Sequence, residues 1–159
     1  MVRTLTGAAL AAVLLATPAL ADGKIYVQLP DLSAYQGQRA EDFLRQVVLA
    51  NVVSSNCPGF EVTDEEWSLL TDSADILARK NLRLSVTDYD DIYYAPAFAA
   101  LDRADTCAAE GPNVQEVLGE LVTLGGSTDA LPDQDAAYVE WRALQDALDA
   151  APTKKSKSK

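Results

Sequence analysis

The chain of 159 residues contains no histidine. That absence closes off the usual Ser-His-Asp and Cys-His catalysis, which needs imidazole as its base. It also closes off ordinary zinc and copper centres, which lean on imidazole nitrogen. Sulfur is scarce as well, with one methionine and two cysteines, Cys57 and Cys107. There is no C-x-x-C of the thioredoxin type and no C-x-x-C-H for attaching haem. Neither a cofactor nor a metal site is expected. Positive charge is the third scarcity: residues 22–151 carry 8 basic against 24 acidic side chains, a net charge of −16. So acidic a body repels phosphate backbones and anionic lipid, which excludes nucleic acid and favours cationic partners.

Long apolar runs are rare too. The longest lies in residues 1–21, MVRTLTGAALAAVLLATPALA, with one early cation at Arg3 and small residues at Ala19 and Ala21. This is the layout of a cleavable secretory signal. Its apolar stretch, about sixteen residues interrupted by Thr6, Gly7, Thr17 and Pro18, falls short of the ~20 that a spanning helix needs. Cleavage after Ala21 and export to the bacterial periplasm are expected, with no membrane span afterwards. At the other end, residues 152–159, PTKKSKSK, read as a disordered basic tail. Residues 22–151 between them suffice for a single domain with a core.

Hydrophobic spacing in that domain is helical. Residues 22–36 read as an extended arm, with a short edge strand at Ile25–Leu29. Phe43, Leu44, Val47, Val48 and Asn51 recur at three- and four-residue steps and predict a helix over 38–54. It ends before Cys57-Pro58-Gly59, since proline disfavours helical dihedrals in the residue before it. Thr63-Asp64-Glu65-Glu66 is a capping box that opens a second helix, with Trp67, Leu70, Ala74 and Leu77 as its inner stripe. That helix is expected to stop with Asn81 in the left-handed position. A third starts at Thr87-Asp88, with a kink or a fresh start at Pro96, and carries Phe98, Leu101, Ala104 and Ala108 inward until Gly111-Pro112 ends it. Asn113 and Glu116 suggest a second capping box for a fourth, which ends at Gly125-Gly126. The last places Tyr138, Trp141, Leu144 and Leu148 on one face. The expected fold is all-α: a small bundle of about five helices with one disulfide.

The disulfide follows from compartment and placement. In an oxidising space an even pair of cysteines reads first as a bridge. A reactive thiol would want electropositive surroundings, whereas Cys107 has Asp102, Arg103, Asp105 and Glu110 near it in sequence. Cys57–Cys107 is therefore expected to tie two helix ends together.

TDYDDIYY, residues 87–94, is the best candidate for a site. Asp88, Asp90 and Asp91 supply oxygens, but Ile92, Tyr93 and Ala99 stand where an EF-hand loop needs an oxygen ligand, a glycine and a glutamate. Carboxylates at a helix start are favoured by the helix dipole alone. Tyr89, Tyr93 and Tyr94 gather with Phe98 around Pro96, and aromatics of this kind anchor interfaces. Tyr89, Tyr93, Tyr94, Asp88, Asp90 and Asp91 are the expected partner contacts.

The stretch from Phe43 to Cys107, with Asn56-Cys57-Pro58 after a helix and a second cysteine about fifty residues on, resembles small secreted proteins of alphaproteobacteria in domain-of-unknown-function families. The resemblance implies a secreted helical domain and brings no activity or catalytic residues. A looser similarity is to the periplasmic acid-stress chaperones, also small, helical and stapled once. Those place tryptophan just before the first cysteine, where this chain has Asn56.

The expected function is that of an exported, non-enzymatic helical protein, an accessory or interaction subunit that binds a protein partner. One alternative is a periplasmic acid-stress chaperone, loosened when its carboxylates are protonated. A further alternative is a carboxylate-dependent hydrolase, since 24 acids supply many pairs.

Overall fold

The computed structural model describes residues 23–154. The expected signal segment and the tail beyond Lys154 lie outside the described residues. Among them the chain forms five helices and no strand, joined by one disulfide.

Helix α1 (Gly37–Asn56) is the centre of the molecule. The predicted stripe of Phe43, Leu44, Val47, Val48 and Asn51 is buried, and burial then widens to every residue from Ala50 to Ser54. A helix buried over most of its circumference has to be largely apolar there, and VVLANVV is, except for Asn51, whose Nδ2 donates to Thr71 Oγ1 at 2.8 Å. Helix α2 (Asp64–Asp75) opens with the predicted capping box. Thr63 Oγ1 accepts from the Glu66 N–H, and Glu66 Oε2 accepts from the Thr63 N–H at 2.9 Å.

Helix α2 continues as a π-helical segment, Ile76–Asn81. The extra residue moves the stop along: Arg83, at φ +57°, takes the left-handed position expected of Asn81. Leu84 N–H then reaches back to the Ala78 carbonyl. Asn81 has another task, since its Nδ2 donates to the carbonyls of Leu32 and Tyr35 and holds the arm.

Helix α3 has three parts: α-helical Val86–Tyr89, π-helical Asp90–Tyr94, and α-helical Ala95–Ala100 with Pro96 in its first turn. Pro96 lacks an N–H, so a fresh α segment after a π turn is where it fits. The helix does not run to Glu110 as expected. It ends at Ala100. Its inner stripe is Tyr89, Tyr93 and Ala97, which leaves Phe98 facing solvent, and the turn over 101–105 then breaks the register, so Ala104 and Ala108 point to solvent too.

Helix α4 (Thr106–Thr123) likewise does not start at Asn113. It passes straight through Gly111-Pro112, and Asn113 Nδ2 bonds to Glu110 Oε2 in place of acting as a cap. The ring of Phe60 lies on Gly111 so closely that a Cβ there would meet ring carbons at 2.4 Å. Cys57 follows α1 and Cys107 is the second residue of α4, so the disulfide ties the end of one helix to the start of another, with Cα atoms 5.4 Å apart.

Helix α5 (Gln134–Ala150) begins at Asp133, whose carboxylate accepts from the Ala136 N–H. The expected edge strand at Ile25–Leu29 is reduced to an isolated antiparallel bridge, Val27 with Ala130. Around it the loop before α5 clasps the arm: Leu131 N–H donates to Tyr26 O and Ser127 N–H to Gln28 O, each at 2.9 Å. Tyr35 stacks on Phe43, with ring centres 4.6 Å apart, and its hydroxyl donates to Glu120 at 2.6 Å. Of the expected tail, Lys154 is described, and its N–H donates to the Arg83 carbonyl.

Candidate functional site

The expected contact residues are divided by the structure. Tyr89 and Tyr93 are 7% and 4% exposed and belong to the core. They sit at i and i+4 with Ala97 at i+8, which is the inward face of α3. Burial first, and then the neighbouring Tyr94 phenol ahead of the Asp75 and Asp90 carboxylates, push the Tyr89 phenol far above its ordinary range, and burial also raises Tyr93. Tyr94 is half-buried, touches Tyr89 edge-on at 5.1 Å and stacks on the exposed Phe98. Asp88 serves the helix start, its N–H donating to Ser85 Oγ and its carboxylate accepting from the same hydroxyl. Asp90 and Asp91 face solvent. Truncating Tyr93 would therefore test packing, not contact.

The residues that converge on a surface site lie elsewhere, where the arm crosses α2 and α5. Lys24 sends its ammonium inward to Asp72, with Nζ 3.0 Å from Oδ1. The pair is secluded, with side-chain exposures of 13% and 4%. Trp141 Nε1 donates to the same Asp72 oxygen at 3.1 Å. Three rings wall the ammonium: their centres lie 5.3 Å (Trp141), 5.5 Å (Trp67) and 5.9 Å (Tyr26) from Nζ. Tyr138 extends the wall, edge-on to Tyr26 at 6.0 Å and stacked on Trp141 at 6.5 Å.

A cation over a ring face is held by the ring quadrupole, worth up to about 2 kcal/mol when desolvated. Three such faces and a carboxylate make this an ammonium cage. Each element contributes for a local reason. The extended arm places Lys24 and Tyr26, two residues apart, on the same side. Gln134 fixes that backbone, its Oε1 accepting from the Tyr26 N–H and its Nε2 donating to the Tyr26 carbonyl.

A cavity of about 240 Å³ opens beside the cage, lined among others by Tyr26, Gln28, Asp72, Glu140, Trp141 and Leu144. One turn further along α5, Gln145 accepts from Arg79 Nη1 at 3.0 Å, and Arg79 also pairs with Asp149. Asp75, between Asp72 and Arg79 on α2, has its carboxyl raised above the ordinary value by burial first and by Asp72 second. A separate groove of about 280 Å³ between α1 and α4 is lined by Glu110, Glu116 and Glu120 with Gln46 and Asn113, and no aromatic side chain joins them.

Sequence reasoning assigned Trp67, Tyr138 and Trp141 to inner helix stripes and gave no role to Lys24 or Asp72. Trp67 and Tyr138 are in fact 40% and 44% exposed. Compared with family models, with curated proteins and with solved structures, the chain matches none.

Proposed function

We propose that this chain is an exported, non-enzymatic helical protein of the bacterial periplasm that acts by binding a partner, and that the face bearing Trp67, Tyr138 and Trp141 is its contact surface. One observation carries the reading. The exposed Trp67 and Tyr138 and the partly buried Trp141 converge with the buried Tyr26 around one secluded ion pair. Packing alone would bury such rings, and partly exposed Trp and Tyr are the residues that anchor interfaces. The Cys57–Cys107 bridge supports an oxidising compartment. The acidic body favours a cationic partner.

A photo-reactive phenylalanine analogue at Tyr138, in cells making the full chain, tests the contact face. The expected result is one discrete adduct that disappears on Trp67→Ala. The same analogue at Val86, which is 71% exposed on α3, serves as the control. Adducts no more discrete at Tyr138 than at Val86 would remove this face from consideration.

A further inference from the structure

We propose that the Lys24 cage is a binding site for small alkylated ammonium cations, with Lys24 as its exchangeable resident. The proposal rests on the reading of this face as the working surface and names the chemistry that the face recognises.

The resident shows what the walls accept. Its charge meets three ring faces and one carboxylate, and that carboxylate is already oriented by Trp141 Nε1. A primary ammonium has three N–H donors. At Lys24 one of them meets Asp72 Oδ1, and three ring centres stand 5.3, 5.5 and 5.9 Å from the nitrogen; a ring face accepts hydrogen bonds poorly. An ammonium whose nitrogen carries methyl groups has fewer donors to satisfy, sheds its water more readily and presents methyls to the rings. The walls therefore suit an alkylated cation at least as well as the lysine that occupies them.

Room and charge agree with this. The adjoining cavity of about 240 Å³ shares Tyr26, Asp72 and Trp141 with the cage and adds Glu140 as a second carboxylate. A ligand larger than a lysine head group could thus place its cation between the rings and its remainder in the cavity. The exchange is also local. The arm is anchored from Tyr26 onward by Gln134, Leu131 and Ser127. Lys24 lies ahead of those anchors, so its side chain can swing out while Tyr26 stays as a wall.

The test is a titration of the full chain with tetramethylammonium chloride, using sodium chloride at equal ionic strength as reference. Fluorescence reads it directly, because both tryptophans of the chain line the cage. Lys24→Ala is expected to show a saturable change, and a thermal midpoint that rises with tetramethylammonium but not with sodium. Wild type is expected to show the same change at a tenfold or more higher concentration, since Lys24 competes. Asp72→Asn in the Lys24→Ala background is expected to abolish it. If Lys24→Ala and wild type both respond to the two salts alike, the proposal is overturned. Should Lys24→Ala not fold, wild type over the wider range decides alone, by saturation or its absence. The two readings fail separately: a Tyr138 adduct without saturation leaves a contact face that ignores ammonium, and saturation without an adduct leaves an ammonium site without a protein partner.

Discussion

Gly111 has no room for one methyl group. The Phe60 ring occupies the place where a Cβ would stand, at 2.4 Å, and Phe60 belongs to the loop that leads from Cys57 into α2. Proline next to it would ordinarily end a helix, yet α4 continues past Pro112. The ring can press against this turn only because the residue there is glycine. Gly111→Ala must push Phe60 away or bend α4, and overpacking of this kind costs about 1–3 kcal/mol. The expected result in urea denaturation is a lower midpoint with an unchanged slope. A variant as stable as wild type would mean that Phe60 moves freely. At Lys24 the constraint is chemical: Asp72 is 4% exposed and needs a cation to face it.

Among the elements, α1 and the start of α2 were the most legible in the sequence, because a strict apolar spacing and a reciprocal capping box leave little choice. The break between α3 and α4 was not legible. Gly111-Pro112 looked like a helix end, but the Phe60 ring and the Cys57–Cys107 bridge hold Thr106–Thr123 as one helix through it. Such tertiary effects override local propensity. The π segments of α2 and α3 were equally hidden, and each shifts the inner face by one residue, which is why Asn81 holds the arm and Phe98 faces water. The candidate site was hidden for a similar reason. Its residues lie on three elements far apart in sequence, and Trp67 and Trp141 fit helix stripes well enough to pass as core. The bridge itself was legible from the even cysteine pair, the expected compartment and the acidic surroundings of Cys107. It closes a sequence separation of 50, worth about 4 kcal/mol on the chain-entropy account. Replacing both cysteines by serine is expected to lower unfolding stability by roughly 2–4 kcal/mol, measured by urea denaturation. Reductant is expected to do the same to wild type and nothing to the double variant. A double variant within a few tenths of a kcal/mol of wild type would show that helix packing alone orders the α1–α4 contact.

On the scale of the whole molecule, the charge of −16 over residues 22–151 is a standing cost to compactness, and Asp75 is where the structure concentrates it. Its carboxyl is raised above the ordinary 3.8 by burial and then by Asp72, against the lowering influence of Arg79, Gln145 and Lys24. The phenols of Tyr89 and Tyr94, on α3, face it as well. A carboxyl raised in the folded state holds its proton more tightly there than in the unfolded chain. Its contribution to stability is therefore fully present below the unfolded value and is lost as pH rises through the folded one. Once ionised, Asp75 is a charge that the fold tolerates at a cost. Asp75→Asn keeps the shape and removes the charge. It is expected to be more stable than wild type at pH 7, with the gap closing as pH falls toward about 3. Urea denaturation of both proteins at pH 7, 5 and 3 reads the difference directly. A gap independent of pH would place the effect in packing, and a wild type more stable at pH 7 would mean that Arg79 and Lys24 outweigh burial.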